Sequence, residues 1–124
     1  MSQAASLTAT TAHAIAKATI EAWNSHDLER ILGHYADDIV LVSPVAAERL
    51  GDPAGTVRGR AALRAYFTKA LEAYPHLRFD LKDVMWGLHS VVLYYANQRC
   101  TMTGEFMEID SAGKISKVVA NYSG

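Results

Sequence analysis

A single cysteine, Cys100, stands among the 124 residues. No internal disulfide can form, and a reducing compartment is the natural setting. Charge of neither sign is in excess: 12 Lys and Arg against 13 Asp and Glu leave a formal net charge of −1. No basic run reaches the length of a nucleic-acid footprint. No segment approaches the ~20 consecutive apolar residues of a membrane-spanning helix. The opening MSQAASLTATTAHAIAK has neither an early positive charge nor a sustained apolar core, so it does not read as a secretory signal. These absences point to a cytoplasmic protein whose partners include neither nucleic acid nor membrane. Five histidines (His13, His26, His34, His76, His89) form no pair with metal-ligand spacing, so neither metal nor nucleotide cofactor is expected. Repeats and low-complexity segments are also missing.

What is present is half hydrophobic by residue count, enough for one core and too short for two. Residues 1–9 are small and polar and read as a flexible terminus; 10–124 read as a single domain. Over 10–25 the residues Ala12, Ile15, Ala16, Thr19, Ile20 and Trp23 recur at helical spacing. Asn24-Ser25-His26-Asp27 breaks that helix, with Asp27 placed to cap a second one. Leu28, Ile31, Leu32 and Tyr35 form its inward face, and it should end near 36–38. A strand follows over 39–42, stopped by Ser43-Pro44. Residues 44–58 carry prolines and glycines with little periodicity and read as a loop. Glu48, Arg49 and Asp52 make that loop polar, while Val45, Leu50 and Val57 suit a lid over a bound molecule. A third helix over 59–74 turns Leu63, Tyr66, Phe67, Ala70 and Leu71 to one side, and Pro75 ends it. The segment 76–87 alternates as a half-exposed strand.

The last third, 89–122, holds three runs rich in Val, Ile, Tyr, Phe and Thr. Asp110-Ser111-Ala112-Gly113 is the clearest turn, because Gly113 supplies the positive φ of a tight hairpin. In the middle run Thr101, Thr103, Glu105, Met107 and Ile109 share one face. A carboxylate in line with Met107 and Ile109 is out of place on a buried face, and Glu105 is therefore the leading candidate for chemistry. Desolvation would raise its pKa and keep it protonated. The competing reading puts it at a rim, ion-paired with Arg99, Lys114 or Arg78. Helices gathered before consecutive strands give an α+β domain with a curved antiparallel sheet wrapped around N-terminal helices, a cone open at one end.

AWNSHDLERILGHYADDIVLVSP, GRAALRAYF and the terminal pattern E-x-D-x-x-G-K-I resemble the nuclear transport factor 2-like superfamily, with its cystatin-like fold. Within it they are most similar to SnoaL-like polyketide cyclases and ketosteroid-isomerase-like proteins. The resemblance implies a cone enclosing a hydrophobic small molecule. Matched on YADDIVLVSPV, Ser43 takes the place of the isomerases' general-base aspartate. Matched on AWNSHD, Thr19 takes that of their oxyanion-hole tyrosine. Matched on FMEIDSAGK, Glu105 takes that of their protonated strand aspartate. Two of three positions differ, so ketosteroid isomerisation is not expected; a serine hydroxyl needs an activating partner to act as a base. Trp23, Tyr35, Tyr66, Tyr95, Met107 and Tyr122 are expected to line the pocket, with Asn121 as a polar partner; a phenol can pack and still donate a hydrogen bond. A cofactor-independent isomerase, cyclase or dehydratase follows, and a non-catalytic binding or dimerisation module of the same fold is the alternative. A two-fold homodimer is expected through an outer sheet face carrying Met102, Phe106, Val91, Leu93 or Val119.

Overall fold

The computed structural model describes residues 6–124. Of the stretch 1–9 expected to be flexible, 1–5 lie outside the described residues. Leu7 N–H donates to the Leu88 carbonyl at 2.9 Å, and Thr8 caps helix α1 (Ala9–Ser25) by accepting from Thr11 N–H. Helix α1 buries Ala12, Ala16, Thr19, Ile20 and Trp23, the stripe that its spacing predicts, and closes at His26 in the left-handed region, φ 60°. Asp27 caps α2 (Leu28–Leu32) through a bond from Arg30 N–H.

Tyr35 opens strand β1 (Tyr35–Val42) rather than closing α2. The period-2 signal is hidden there, because the register slips between Tyr35 and Val40 and two exposed residues, Asp37 and Asp38, fall side by side. The segment 44–58 is likewise not a loop. It folds as helix α3 (Pro44–Leu50) and edge strand β2 (Thr56–Arg58). Ser43 is the N-cap, Pro44 occupies the first turn, and Gly51 ends the helix at φ 63°. Gly55 must stay glycine, since a Cβ on it would lie 2.6 Å from the Ser43 carbonyl oxygen. Helix α4 (Arg60–Ala73) buries Leu63 and Phe67. Strands β3 (Asp80–Trp86), β4 (Ser90–Ala96), β5 (Met102–Ile109) and β6 (Ile115–Tyr122) complete the chain.

The strands form one six-stranded sheet in the order β2-β1-β6-β5-β4-β3. Neighbours pair antiparallel except β1 and β6, which run parallel, so the sheet is mixed rather than wholly antiparallel. Ile39, Leu41, Val91, Leu93, Met107 and Val118 face the helices and are buried. Trp23 of α1 meets Phe67 of α4 edge to face, ring centroids 4.6 Å apart, and joins the helices over that face. Val91 and Leu93 are therefore core residues. The outer row is instead Met85, Val92, Phe106, Val119 and Val42, paired across five strands. Among the described residues no helix is long and apolar enough to cross a membrane.

Candidate active site in the cone

The end of α1 fixes one side of the cavity. Asn24 makes two bonds to Phe79, donating to its carbonyl at 2.9 Å and accepting from its N–H at 2.7 Å. The His26 ring sits 2.7 Å from the Leu77 carbonyl. These contacts hold the segment before β3 in place, so that Leu77 and Phe79 enter the cavity wall. The β4–β5 turn fixes another side. Buried Asn97 accepts from Arg99 N–H at 3.0 Å and donates to Thr103 Oγ1 at 2.9 Å. Cys100 takes φ 61° in that turn and is exposed.

Between them lies a cavity of about 100 Å³. Pockets for drug-sized ligands run to roughly 300–1,000 Å³, so the space suits a single-ring molecule better than a steroid. Trp23, Tyr35, Phe67, Phe79 and Tyr95 supply the apolar wall, with Phe79 and Tyr95 4.5 Å apart. Glu105 projects into it from β5. Its register partners are Leu93 on β4 and Ala120 on β6, both buried. The side chain is half-buried and keeps some accessible surface, because it faces the cavity. Burial raises its pKa above the ordinary 4.5, and a hydrogen bond from Tyr95 partly opposes the shift. That bond, from Tyr95 OH to Oε1, is 2.8 Å long and spans a diagonal pair on the sheet. None of the ion pairs among the described residues includes Glu105, so the rim reading with Arg99, Lys114 or Arg78 is overturned. Burial and the neighbouring carboxyl also push the phenols of Tyr95 and Tyr35 far up, so both stay neutral donors.

Trp23, Tyr35, Ser43, Tyr66, Tyr95, Glu105 and Tyr122 all border the cavity. Thr19, Met107 and Asn121 do not. Thr19 is buried with its hydroxyl donating to the Ile15 carbonyl of its own helix at 2.8 Å. Met107 shares the face of Glu105 but is packed into the core between Val91 and Val118. Asn121 alternates with Ala120 and Tyr122, so it points outward, and its amide bonds the Gly104 carbonyl at 3.2 Å. Adjacent strand residues cannot both face the cavity. Ser43 spends its hydroxyl as the cap of α3, accepting from Val45 N–H at 3.1 Å. Burial pushes Tyr66 up to about 12. Wall residues not singled out from the sequence are Leu77, Phe79 and Asn97, together with Arg49 and Arg99 at the mouth, while Thr103 joins the wall on the face it shares with Glu105. The Asn-Ser-His-Asp break after α1 was the one local hint of the clamp on Phe79.

Fold and cavity together define a small α+β cone with a buried acid on its inner wall. The chain matches the family model described as SnoaL-like domain over residues 16–116, and it belongs to the SnoaL-like family. It is similar to the crystal structure of a SnoaL-like protein of unknown function from Burkholderia thailandensis. The two are 32% identical with a TM-score of 0.93 over 96% of this chain and 99% of that one. A candidate isomerase of the SnoaL-like family from Agrobacterium tumefaciens matches at 19% identity and TM-score 0.74, over 93% of this chain and 99% of its own. TerC, co-crystallised with polyporic acid, matches at 16% identity and TM-score 0.74, over 91% and 92% of the two chains. The last two share the fold. Comparison with proteins of curated function gives no match.

Proposed function

We propose that the protein is a cofactor-independent acid/base enzyme acting on a small, largely hydrophobic molecule, with Glu105 as the proton carrier. The observation that supports this most is a carboxyl in an aromatic cavity with Tyr95 as its hydrogen-bond donor and, among the described residues, no ion pair to it. Held protonated, Glu105 gives its proton to one atom of a conjugated carbonyl compound. The carboxylate that results, steadied by Tyr95 OH, takes a proton from a neighbouring carbon. One proton leaves and one returns, so the net change is an isomerisation. In a dehydration the proton goes instead to a hydroxyl that leaves as water while the carboxylate takes the α-proton. In an aldol-type cyclisation it goes to the acceptor carbonyl oxygen as the new C–C bond forms. Ketosteroid isomerase offers a parallel, for its apolar site keeps a strand carboxyl neutral to donate a hydrogen bond.

A non-catalytic binding role has one observation in its favour: among the described cavity residues Glu105 is the single carboxyl, and no histidine joins it. A carbon-13 NMR titration of the Glu105 carboxyl separates the two. A midpoint above 4.5 is expected, and one at or below that value would remove the acid on which catalysis depends.

In this reading the protein is also a cytoplasmic homodimer. Phe106 and Val119 pair at the middle of the outer apolar row, with Val92 and Met85 on one side and Val42 on the other. A two-fold axis through that middle lays the row on its own copy, as an isologous interface requires.

A further inference from the structure

We infer that the cavity receives its ligand as an anion, with an apolar body against Trp23, Phe67 and Phe79 and a carboxylate-type group held at the mouth by Arg49 and Arg99. This rests on the small-molecule reading above and names the substrate class for the same site. Arg49 comes from the end of α3 and Arg99 from the β4–β5 turn, yet both border one cavity. Each guanidinium lies 5.6 Å from the centre of a tyrosine ring, Arg49 over Tyr74 and Arg99 over Tyr122. Both rings also line the cavity. A cation–π contact of this kind holds the guanidinium by its charge without using its N–H donors on a carboxylate.

Five of the twelve Lys and Arg side chains are ion-paired, and Arg49 and Arg99 are not among them. Lys17 and Arg30 pair with Glu21, Arg60 with Asp37, Arg64 with Glu29 and Lys82 with Asp80. Neither Arg49 nor Arg99 meets a side-chain carboxylate among the described residues, although Glu48 and Asp52 flank Arg49 in the chain. Arg99 Nη2 donates to the Gly124 main-chain oxygen at 2.9 Å, which orients it and leaves further donors open. Glu105 is engaged by Tyr95 on the inner wall. Both cations border an apolar cavity whose one carboxyl is already engaged, so an anion entering there meets positive charge from two elements. An acid anchored there directs its apolar end inward, toward Glu105, so the mouth sets which carbon reaches the proton carrier.

The test is binding of 3-phenylpropanoate and of its methyl ester to the full chain, followed by the Trp23 indole N–H resonance. The acid is expected to bind at least about tenfold tighter, equivalent to about 1.4 kcal/mol. That preference should shrink as salt is raised, because both guanidiniums are exposed. Arg49→Gln with Arg99→Gln together should erase it, and Arg49→Lys should keep part of it. Glu105→Gln should leave the preference intact while ending proton transfer, so loss of the enzymatic reading and loss of this one are seen separately. Equal binding of acid and ester, no binding of either at millimolar concentration, or a preference that survives in the double variant would each overturn the inference.

Discussion

Strand β5 turns opposite chemistries to its two sides. Inward it presents Thr103 and Glu105 among core residues, and outward it presents Phe106 in a row with Val92 and Val119. The usual economy of a half-buried strand is the reverse, apolar in and polar out. A polar group kept inside costs stability unless it is used, and an apolar row kept outside marks a surface that expects cover. The inner face thus locates the chemistry and the outer face the assembly, on one strand and one residue apart.

The comparison can be broken first through the aromatic support of the inner face. Phe67→Ala or Trp23→Ala should cost about 3–5 kcal/mol, seen as a lower denaturation midpoint; an unchanged midpoint would mean the helices do not rest on the sheet through this pair. Next is the acid itself. Glu105→Gln should lower exchange of the γ-protons of a small conjugated cyclic ketone with deuterated water by at least about 10²-fold, while the fold persists. Its effect on stability depends on pH with a definite sign. The folded protein holds the Glu105 proton more tightly than the unfolded chain, whose ordinary value is 4.5. The stabilising effect of that proton is complete below 4.5 and is lost as pH rises through the higher folded value. Glu105→Gln should therefore gain on the wild type across that interval and stay ahead above it. A pH-independent difference in melting temperature would show the carboxyl to be solvated.

The outer face is challenged by Phe106→Asp, which should convert a dimer into a particle of the 13.5 kDa chain mass in light scattering. A wild type already at that mass would leave the apolar row without its second copy. The smallest effect is expected at the cap of α3. Ser43→Ala should cost about 1 kcal/mol, as loss of an N-cap does, and leave proton transfer within severalfold; a collapse of activity would give Ser43 a chemical role that its cap geometry does not suggest.

How legible all this was depends on the length over which a pattern persists. The stripe of α1 and the alternation of β5 run long enough to mark their buried faces, and Glu105 stood out because its neighbours at two-residue spacing are apolar. Helix α3 is too short for periodicity; its signal lay wholly in its ends, Ser43-Pro44 before and Gly51 after. Tyr35 fits a helical stripe and a strand equally well until the register slip in β1 is known. Thr19 and Met107 lie on the correct faces of their elements, but periodicity gives a direction and not a depth, and both sit away from the cavity. Arg49 and Arg99 border one cavity from distant elements, a convergence that no local pattern encodes.

The parallel pairing of β1 with β6 has a consequence for how the molecule is made. On one side Leu41 pairs with Val57 of the nearby β2, but on the other its partner is Val118, and the strand that delivers it is the last element of the order yet sits near the middle of the sheet. Closing so long a loop is slow compared with forming the β3–β6 hairpins. During synthesis β1 and β2 must wait with one edge open, and the ribosome will have emitted nearly every other element before that edge is covered. A cell short of chaperones should therefore lose this protein through β1, at the nascent-chain stage, well before the finished fold is in danger.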